Sequence, residues 1–470
     1  VDQLVASDSR AVARPSPYDD QPSRSPWIAQ LAPDGPPRPL DADVRTDVAI
    51  VGAGIAGVAT AFFVLRSTPH RVLLLERDRV ARGATGRNAG QLTTYFERPL
   101  CNIADEFGVR LAAEAQRDFD DAYDLLDLLV AESGATVRVE RFTGHLGMFN
   151  LQHVLVHLRS NLVRRDGGLP QETCFVSEDA EFLSDIPAEL AALCTVVSQG
   201  TVRALLETRD DRYRAVLSDR KGCVNSGALV QQLLTHLLEH YPDRLHYADR
   251  TPVQRAEVTA DGMRLTALGH TVTASSAVLC TNGFVDLVVL DPRGRRVELA
   301  SDQRVTGRVA YMTAFVEERP RPPAAMSYIR NTTIGGDMPY VYVTRRTFDG
   351  PDGAVTLTCM GGPEHPVDGA DYDLSTPVPG ELLAAMDEQV RPFAQPDRAP
   401  GRPYDFQWHG LMGYNDSGIR VVGAHPHHPT LLYNLACNGV GFLPSIHGGQ
   451  RVARLLAGEE LAPSIFDPRE

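Results

Sequence analysis

The stretch 47–57, DVAIVGAGIAG, constrains this chain more than any other. Residues 48–51 form an apolar run of strand length. Gly52, Gly54 and Gly57 follow in G-x-G-x-x-G spacing, and apolar residues from Ile55 to Leu65 can line one face of a helix. Each glycine answers a steric demand: a tight turn, a backbone close to a pyrophosphate, and a helix packed hard on a strand. Ile55 and Ala56 open that helix, whose free N–H groups and positive dipole end suit phosphate. A second apolar run, RVLLLER, ends in Glu76 and Arg77, which puts Glu76 24 residues after Gly52. A carboxylate at that point can bind ribose hydroxyls. Strand, glycines, helix, strand and terminal acid in this order specify a dinucleotide-binding unit.

The chain's 470 residues allow two or three domains around a large buried core. A net charge of -14 argues against nucleic acid or an anionic membrane as the main partner. No apolar run reaches the ~18 residues of a membrane span. The opening VDQLVASDSR has no apolar signal core, so a cytoplasmic protein is expected. Seven cysteines are scattered without C-x-x-C spacing, the pattern of reduced thiols rather than of a disulfide framework or zinc site. His236 and His240 share a helix face without a third ligand, and no metal is expected. Of 46 basic residues only Lys221 is a lysine.

Residues 1–45 read as an extension anchored by Trp27 and Ile28. One long amphipathic helix is expected over 104–131, with others over 151–162, 225–241 and 445–456. Short strands lead to an apolar run, 277–280, that ends in Thr281, Asn282 and Gly283, suited to a return beside the nucleotide. Strand-like runs at 308–316, 340–344 and 354–359 suit an antiparallel sheet. The fold class is therefore α/β. A Rossmann-like domain with a parallel sheet is assembled from 46–92, 221–290 and 405–470. A substrate domain with a mixed or antiparallel sheet and helices comes from 93–220 and 291–404.

Four stretches in this order, DVAIVGAGIAG with Glu76, ARGATGRNAGQL, WHGLMGYNDSGIRVVG and NLACNGVGFLPSIHGGQRVARLLAGE, resemble the D-amino-acid oxidase superfamily of FAD-dependent amine oxidoreductases. Within it the second stretch is most similar to the branch containing gamma-glutamylputrescine oxidase. The resemblance implies that the dinucleotide is FAD, with Gly52, Gly54, Gly57 and Glu76 at pyrophosphate and ribose and Arg77 near adenine. It implies that Gly83, Ala84, Thr85, Arg87, Asn88, Ala89, Gly90 and Gln91 run along pyrophosphate and flavin, and that the backbone of Val253 meets adenine. The loop of Asn438, Gly439, Val440, Gly441, Phe442 and Leu443 would face the flavin's pyrimidine edge. A helix N-terminus there stabilises the negative charge of reduction.

The chain departs from that pattern where relatives clamp a substrate carboxylate with arginines: Cys437 and Met412 stand at the matching positions. A simple amino acid then needs Arg87, Arg98, Arg345 or Arg346 as a bidentate partner, with Arg345 the foremost candidate. Leu411 or Met412, and Arg87, stand where covalent branches carry their flavin tethers, which implies non-covalent FAD. Leu443 replaces a lysine of the sarcosine oxidase branch. Lys221 is expected far from the flavin, leaving His365, His409 or His447 as cations for oxygen activation, or an acceptor other than oxygen.

The implied reaction moves a hydride from the carbon beside a neutral amine to the flavin, and water hydrolyses the imine. Tyr340, Tyr342, Trp408 and Met412 are expected to line the substrate cavity, with His409 assisting deprotonation. Three functions stay open: an amine oxidase producing hydrogen peroxide, a dehydrogenase with another acceptor, and a catalytically idle FAD-binding subunit. The oligomeric state is open as well.

Overall fold

Residues Val48 to Val51 and the strand Val72–Leu75 are buried throughout, as strands of a sheet covered on both faces must be. In the computed structural model, which describes residues 23–282, 287–330, 340–350, 353–367, 371–390 and 404–470, these two strands lie parallel at the centre of a nine-stranded sheet. Leu245–Ala248 continues it beyond Val72–Leu75, and His270–Leu279 runs parallel to Val44–Val51 on the other side. The His270–Leu279 strand then forks. Its first half pairs antiparallel with Gly262–Ala267, and residues 277–279 pair parallel with 431–433.

The period of two sorts the core. Val48, Ile50, Val72 and Leu74 face the helices Ile55–Ser67, Ser226–His240 and Phe442–Leu456. Ala49, Val51, Leu73 and Leu75 face the antiparallel strands Val253–Thr259 and Gly262–Ala267.

A second, ten-stranded sheet runs in the order Phe406–Tyr414, Thr306–Val316, Gly353–Val367, Tyr340–Gly350, Ala324–Ile329, Val139–Met148, Ala215–Val224, Thr173–Ser177 and Cys194–Val197. The two-residue strand Gln91–Leu92 joins it against Ala215–Val224. Two expectations are corrected here. Phe406–Tyr414, placed by sequence with the dinucleotide-binding part, pairs along Thr306–Val316 in the second sheet. Lys221, also placed with that part, sits within Ala215–Val224, opposite Phe142. A strand's apolar pattern states which face is buried, not which sheet it joins.

The expected single helix over 104–131 is three: Leu100–Phe107, Val109–Asp120 and Ala122–Ser133. Gly108, at φ +83°, makes the first break, in a conformation that glycine adopts without a Cβ penalty. The seven cysteines carry free thiols. Among the described residues no helix is long and apolar enough to cross a membrane.

Asn225 caps the helix Ser226–His240: its Oδ1 accepts from the Ala228 N–H at 2.9 Å while its Nδ2 donates to Gln30 Oε1 at 2.8 Å. Asn225→Ala is expected to cost about 1 kcal/mol, read as a lower urea midpoint at unchanged slope.

Candidate functional site

The glycine turn leaves no room for a methyl group. A Cβ on Gly57 would lie 1.7 Å from the Gly52 carbonyl oxygen, and one on Gly52, at φ +106°, 2.6 Å from the Cys280 carbonyl. Helix, turn and neighbouring strand end are therefore in backbone contact. Glu76 ties the next strand to this turn: its Oε2 accepts from the Ala53 N–H at 2.7 Å and its Oε1 from the Asp78 N–H at 2.9 Å. Burial pushes its pKa up, against the pull of those two N–H groups.

The loop after the second strand folds back over the turn. Thr85 Oγ1 accepts from the Ile55 N–H at 2.9 Å. Ser226 Oγ donates to the Thr85 carbonyl at 2.6 Å, and Asn88 Nδ2 to the same oxygen at 2.9 Å. Gly90, at φ +72°, donates to Asn88 Oδ1 at 2.7 Å and leads into Gln91, whose Nε2 reaches Thr344 Oγ1 at 2.5 Å.

The third wall is the C-terminal loop. Asn282 Oδ1 accepts from both Gly413 N–H (3.3 Å) and Cys437 N–H (3.2 Å), so one amide joins a strand end of the first sheet to a strand of the second. Asn438 N–H donates to the Gly413 carbonyl at 2.9 Å, and Asn438 Oδ1 accepts from the Asn415 N–H at 2.9 Å. From there Gly439, Val440 and Gly441 lead into the helix Phe442–Leu456, longer at its start than expected.

These three loops enclose one cavity of about 350 Å³, which reaches from Glu76, Arg77 and Val253 to the ten-stranded sheet. Most residues expected of the three loops line it. Gly57, Gly90, Asn438 and Leu443 do not: they hold the loops from behind. Gly283 falls outside the described residues, as does the side chain of Tyr340.

The cavity's far wall is one face of the second sheet, built from alternate residues: Ala310 and Met312, Gly362 and Glu364, Met412 and Tyr414, with Ser327 and Tyr342 between. Tyr95 and Glu97 close it from the loop after Gln91–Leu92. Glu97 Oε1 and the Tyr414 hydroxyl converge above Gly439, where an added Cβ would meet them at 2.8 and 2.7 Å. Glu364 pairs with Arg308, which stands outside the lining, at 2.6 Å. Tyr342 and Met412 both line this cavity. Sequence reading missed Glu97 and Glu364, because acids in polar stretches carry no periodic signal.

Several other candidates are engaged elsewhere. Arg345 is 2% exposed and forks onto Glu207, with both N–O distances 2.7 Å, while its Nε donates to the Pro322 carbonyl. Arg346 lies over the Trp27 ring at 4.7 Å, and Arg98 pairs with Glu106 at 2.6 Å. Arg87 lines the cavity, but its guanidinium donates to Ser23 and to the Arg82 carbonyl. Trp408 packs against Trp27 instead of lining the cavity.

His409 is equally committed and stands outside the lining. Its Nε2–H donates to the Thr376 carbonyl at 2.7 Å, so its Nδ1 accepts from the Tyr372 hydroxyl at 2.9 Å. Burial lowers its pKa, and the neutral ring is the form both bonds require. Burial also pulls His447 down to about 3, and Lys221, 4% exposed with its ammonium 5.4 Å from the Tyr95 ring, lies one layer behind the wall.

Arg420, not singled out by sequence, lines the cavity beneath the C-terminal loop. It is 4% exposed, donates from Nη2 to Asn434 Oδ1 at 2.6 Å, and is pulled down to about 10 by burial. Its Nε and the Thr281 hydroxyl are buried with no hydrogen-bond partner among the described residues. A buried cation and orphaned donors beside a helix N-terminus, with glycines that exclude a single methyl, fit the anionic, extended FAD that the resemblance implies.

Comparison with known proteins agrees. The sequence model of the DAO family, described as FAD dependent oxidoreductase, matches residues 47–455. The tRNA 5-methylaminomethyl-2-thiouridine biosynthesis bifunctional protein MnmC of Burkholderia thailandensis is 25% identical over 339 residues, covering 70% of this chain and 44% of that protein. Gamma-glutamylputrescine oxidoreductase of Escherichia coli K12 is 34% identical over 73 residues, 16% of this chain and 17% of that protein. The matches thus span less than half the length of these relatives. Among solved structures, glycine oxidase from Geobacillus kaustophilus superposes with a TM-score of 0.64 at 18% identity over 90% of this chain and 98% of that one. L-proline dehydrogenase from P. horikoshii gives 0.66 at 14% identity over 90% and 97%. At such identities the superpositions establish the fold.

Two outcomes are expected. Gly57→Ala drives a methyl into the Gly52 carbonyl and yields protein without flavin absorbance in the visible spectrum. His409, with its folded pKa below the ordinary ~6.5, contributes stability that is complete above that value and lost as pH falls below it. The urea midpoint of the wild type should therefore drop more steeply on acidification than that of His409→Gln.

Proposed function

The chain belongs to the DAO family of FAD-dependent oxidoreductases, and from that premise we propose that it oxidises the C–N bond of a cationic amine lacking a carboxylate at the reacting carbon. The observation that carries this reading is the inner end of the cavity. Tyr95, Tyr342, Met312, Met412 and Tyr414 form its aromatic and apolar walls, and the charged groups exposed on that wall, among the described residues, are the carboxylates of Glu97 and Glu364. Arg308, which pairs with Glu364, and Lys221, which lies over the Tyr95 ring, stand outside the lining. Arg98, Arg345 and Arg346, which could have held a substrate carboxylate, are spent on protein contacts.

Bound FAD supplies a hydride acceptor, the redox chemistry that the side chains lack. The chain's own contribution is positional. The apolar walls keep the reacting nitrogen unprotonated by desolvation, and they exclude water from the carbon that loses hydride. Glu97 holds a second cationic group of the substrate and so fixes which carbon is presented. The reacting amine loses two electrons and two protons overall to become an imine, and water cleaves that imine to a carbonyl compound and an amine. FAD is held without a covalent bond, since Arg87, Leu411 and Met412 offer no thiol or imidazole for a tether.

The electrons leave either to oxygen or to another acceptor. None of Lys221, His365, His409 and His447 lines the cavity, which favours the second version. Anaerobic mixing separates the possibilities. Diamines and polyamines should bleach the flavin and N-methyl amino acids should not. Glu97→Gln should raise KM for a diamine at least about tenfold, roughly 1.4 kcal/mol, with a smaller change in kcat. Bleaching by the amino acids alone would reject the cationic class. Bleaching by no amine would reject amine oxidation itself. In a separate assay in air, hydrogen peroxide formed one for one with product would reject the non-oxygen acceptor.

A further inference from the structure

The segment 23–30 precedes both sheets, yet it is bonded chiefly to the loop that borders the cofactor cavity. It holds a single helical turn, Pro26–Ala29, capped by Ser25, whose Oγ accepts from the Ile28 N–H at 3.1 Å and donates to the Gly86 carbonyl. Trp27, fully buried, donates from Nε1 to the Asn88 carbonyl at 2.5 Å. Its ring lies so close to Gly90 that a Cβ there would sit 2.8 Å from it. Ser23 receives the Arg87 guanidinium at 3.0 and 3.1 Å through its hydroxyl and carbonyl.

The loop is gripped from the other side as well. Trp408 Nε1 donates to the Arg87 carbonyl at 3.2 Å, and Gly410 admits that same carbonyl where a Cβ would lie only 2.8 Å from it. Trp27 meets Trp408 edge to face at 6.5 Å, and the Arg346 guanidinium covers the Trp27 ring at 4.7 Å. Trp408 belongs to the alternate set that also holds Met412 and Tyr414, so Trp27 fills one end of the sheet face whose other end is the cavity.

We propose that segment 23–30 is a clasp that retains FAD, with Trp27 as a positioning residue acting through the loop of Thr85, Arg87, Asn88 and Ala89. Those four residues line the cavity, and apart from the short turn Ala84–Gly86 the loop has no regular secondary structure to hold it. A loop already ordered before the cofactor arrives spares the conformational entropy that binding would otherwise have to overcome, and affinity rises by that amount. The clasp acts on the cofactor and leaves substrate selection to the far wall.

The test follows FAD release from diluted holoprotein by the rise of free-flavin fluorescence, with visible circular dichroism of the bound flavin as a second readout. Trp27→Ala should release FAD about a hundredfold faster and alter the flavin's dichroism, and Trp27→Phe, which keeps a ring in the core but loses the Asn88 bond, about tenfold faster. Phe348→Ala is the control. Phe348 is buried in the same apolar cluster, against Phe406, and its variant should release FAD at close to the wild-type rate. Equal release from Phe348→Ala and Trp27→Ala would reduce Trp27 to ordinary core packing and overturn the proposal. Wild-type release from both Trp27 variants would do the same. Should Trp27→Ala fail to fold, Trp27→Phe against Phe348→Ala decides alone.

Discussion

The structure depends on one steric fact: the helix Ile55–Ser67 approaches its own strand so closely that Gly57 cannot carry a methyl group. That approach sets the depth of the turn at Gly52, and with it the distance from the turn to the Cys280 strand end. It also lets Glu76 reach the Ala53 N–H. The helix Phe442–Leu456 repeats the device. Gly449 lies where a Cβ would be 2.8 Å from the Thr60 nitrogen, and Gly448 where one would be 2.3 Å from Asn434. Two helices that begin at the cofactor cavity are thus packed at backbone range, and both N-termini point at the same space because neither helix can slide.

Single amides, not an extended sheet, stitch the two sheets together at the cavity. Asn282 accepts from one strand of the second sheet and from the C-terminal loop at once, and Asn88 braces its own loop through the Thr85 carbonyl and the Gly90 N–H. Even half-buried amides of this kind lose stability when their bonds are not made, which makes them exacting about geometry. The consequence is a cavity whose cofactor side is rigidly specified, while its far wall can vary strand by strand. Alternate positions of Thr306–Val316, Gly353–Val367 and Phe406–Tyr414 can change character without disturbing the turn.

The cofactor side was readable from sequence because its demands fall on residue type at fixed spacing: glycines where a Cβ is excluded, an acid at a strand end, a glycine loop before a helix. The far wall was readable only in part. Tyr342 followed from a strand run and Met412 from the family resemblance, but Trp408, on the same face, packs on a residue 381 positions earlier. Arg345 stood at the end of an apolar run in a position suited to substrate, and only the fold reveals Glu207, 138 residues away, across a fork of two 2.7 Å bonds. Glu97 and Glu364 were passed over for the complementary reason. Isolated acids in polar stretches resemble surface until a wall is built around them. Gly108 was different: its signal was present, and the apolar periodicity on either side masked it.

Lys221 carries the one side-chain amine in the chain, and it is packed so tightly that Gly144, diagonally across on the neighbouring strand, has no space for a Cβ. Every other side chain that is cationic at neutral pH is a guanidinium, so reagents aimed at the lysine amine find no exposed one among the described residues. The protein's outer positive charge is accordingly unresponsive to acetylation, and it stays fixed far into the alkaline range where a lysine-rich surface would already have discharged.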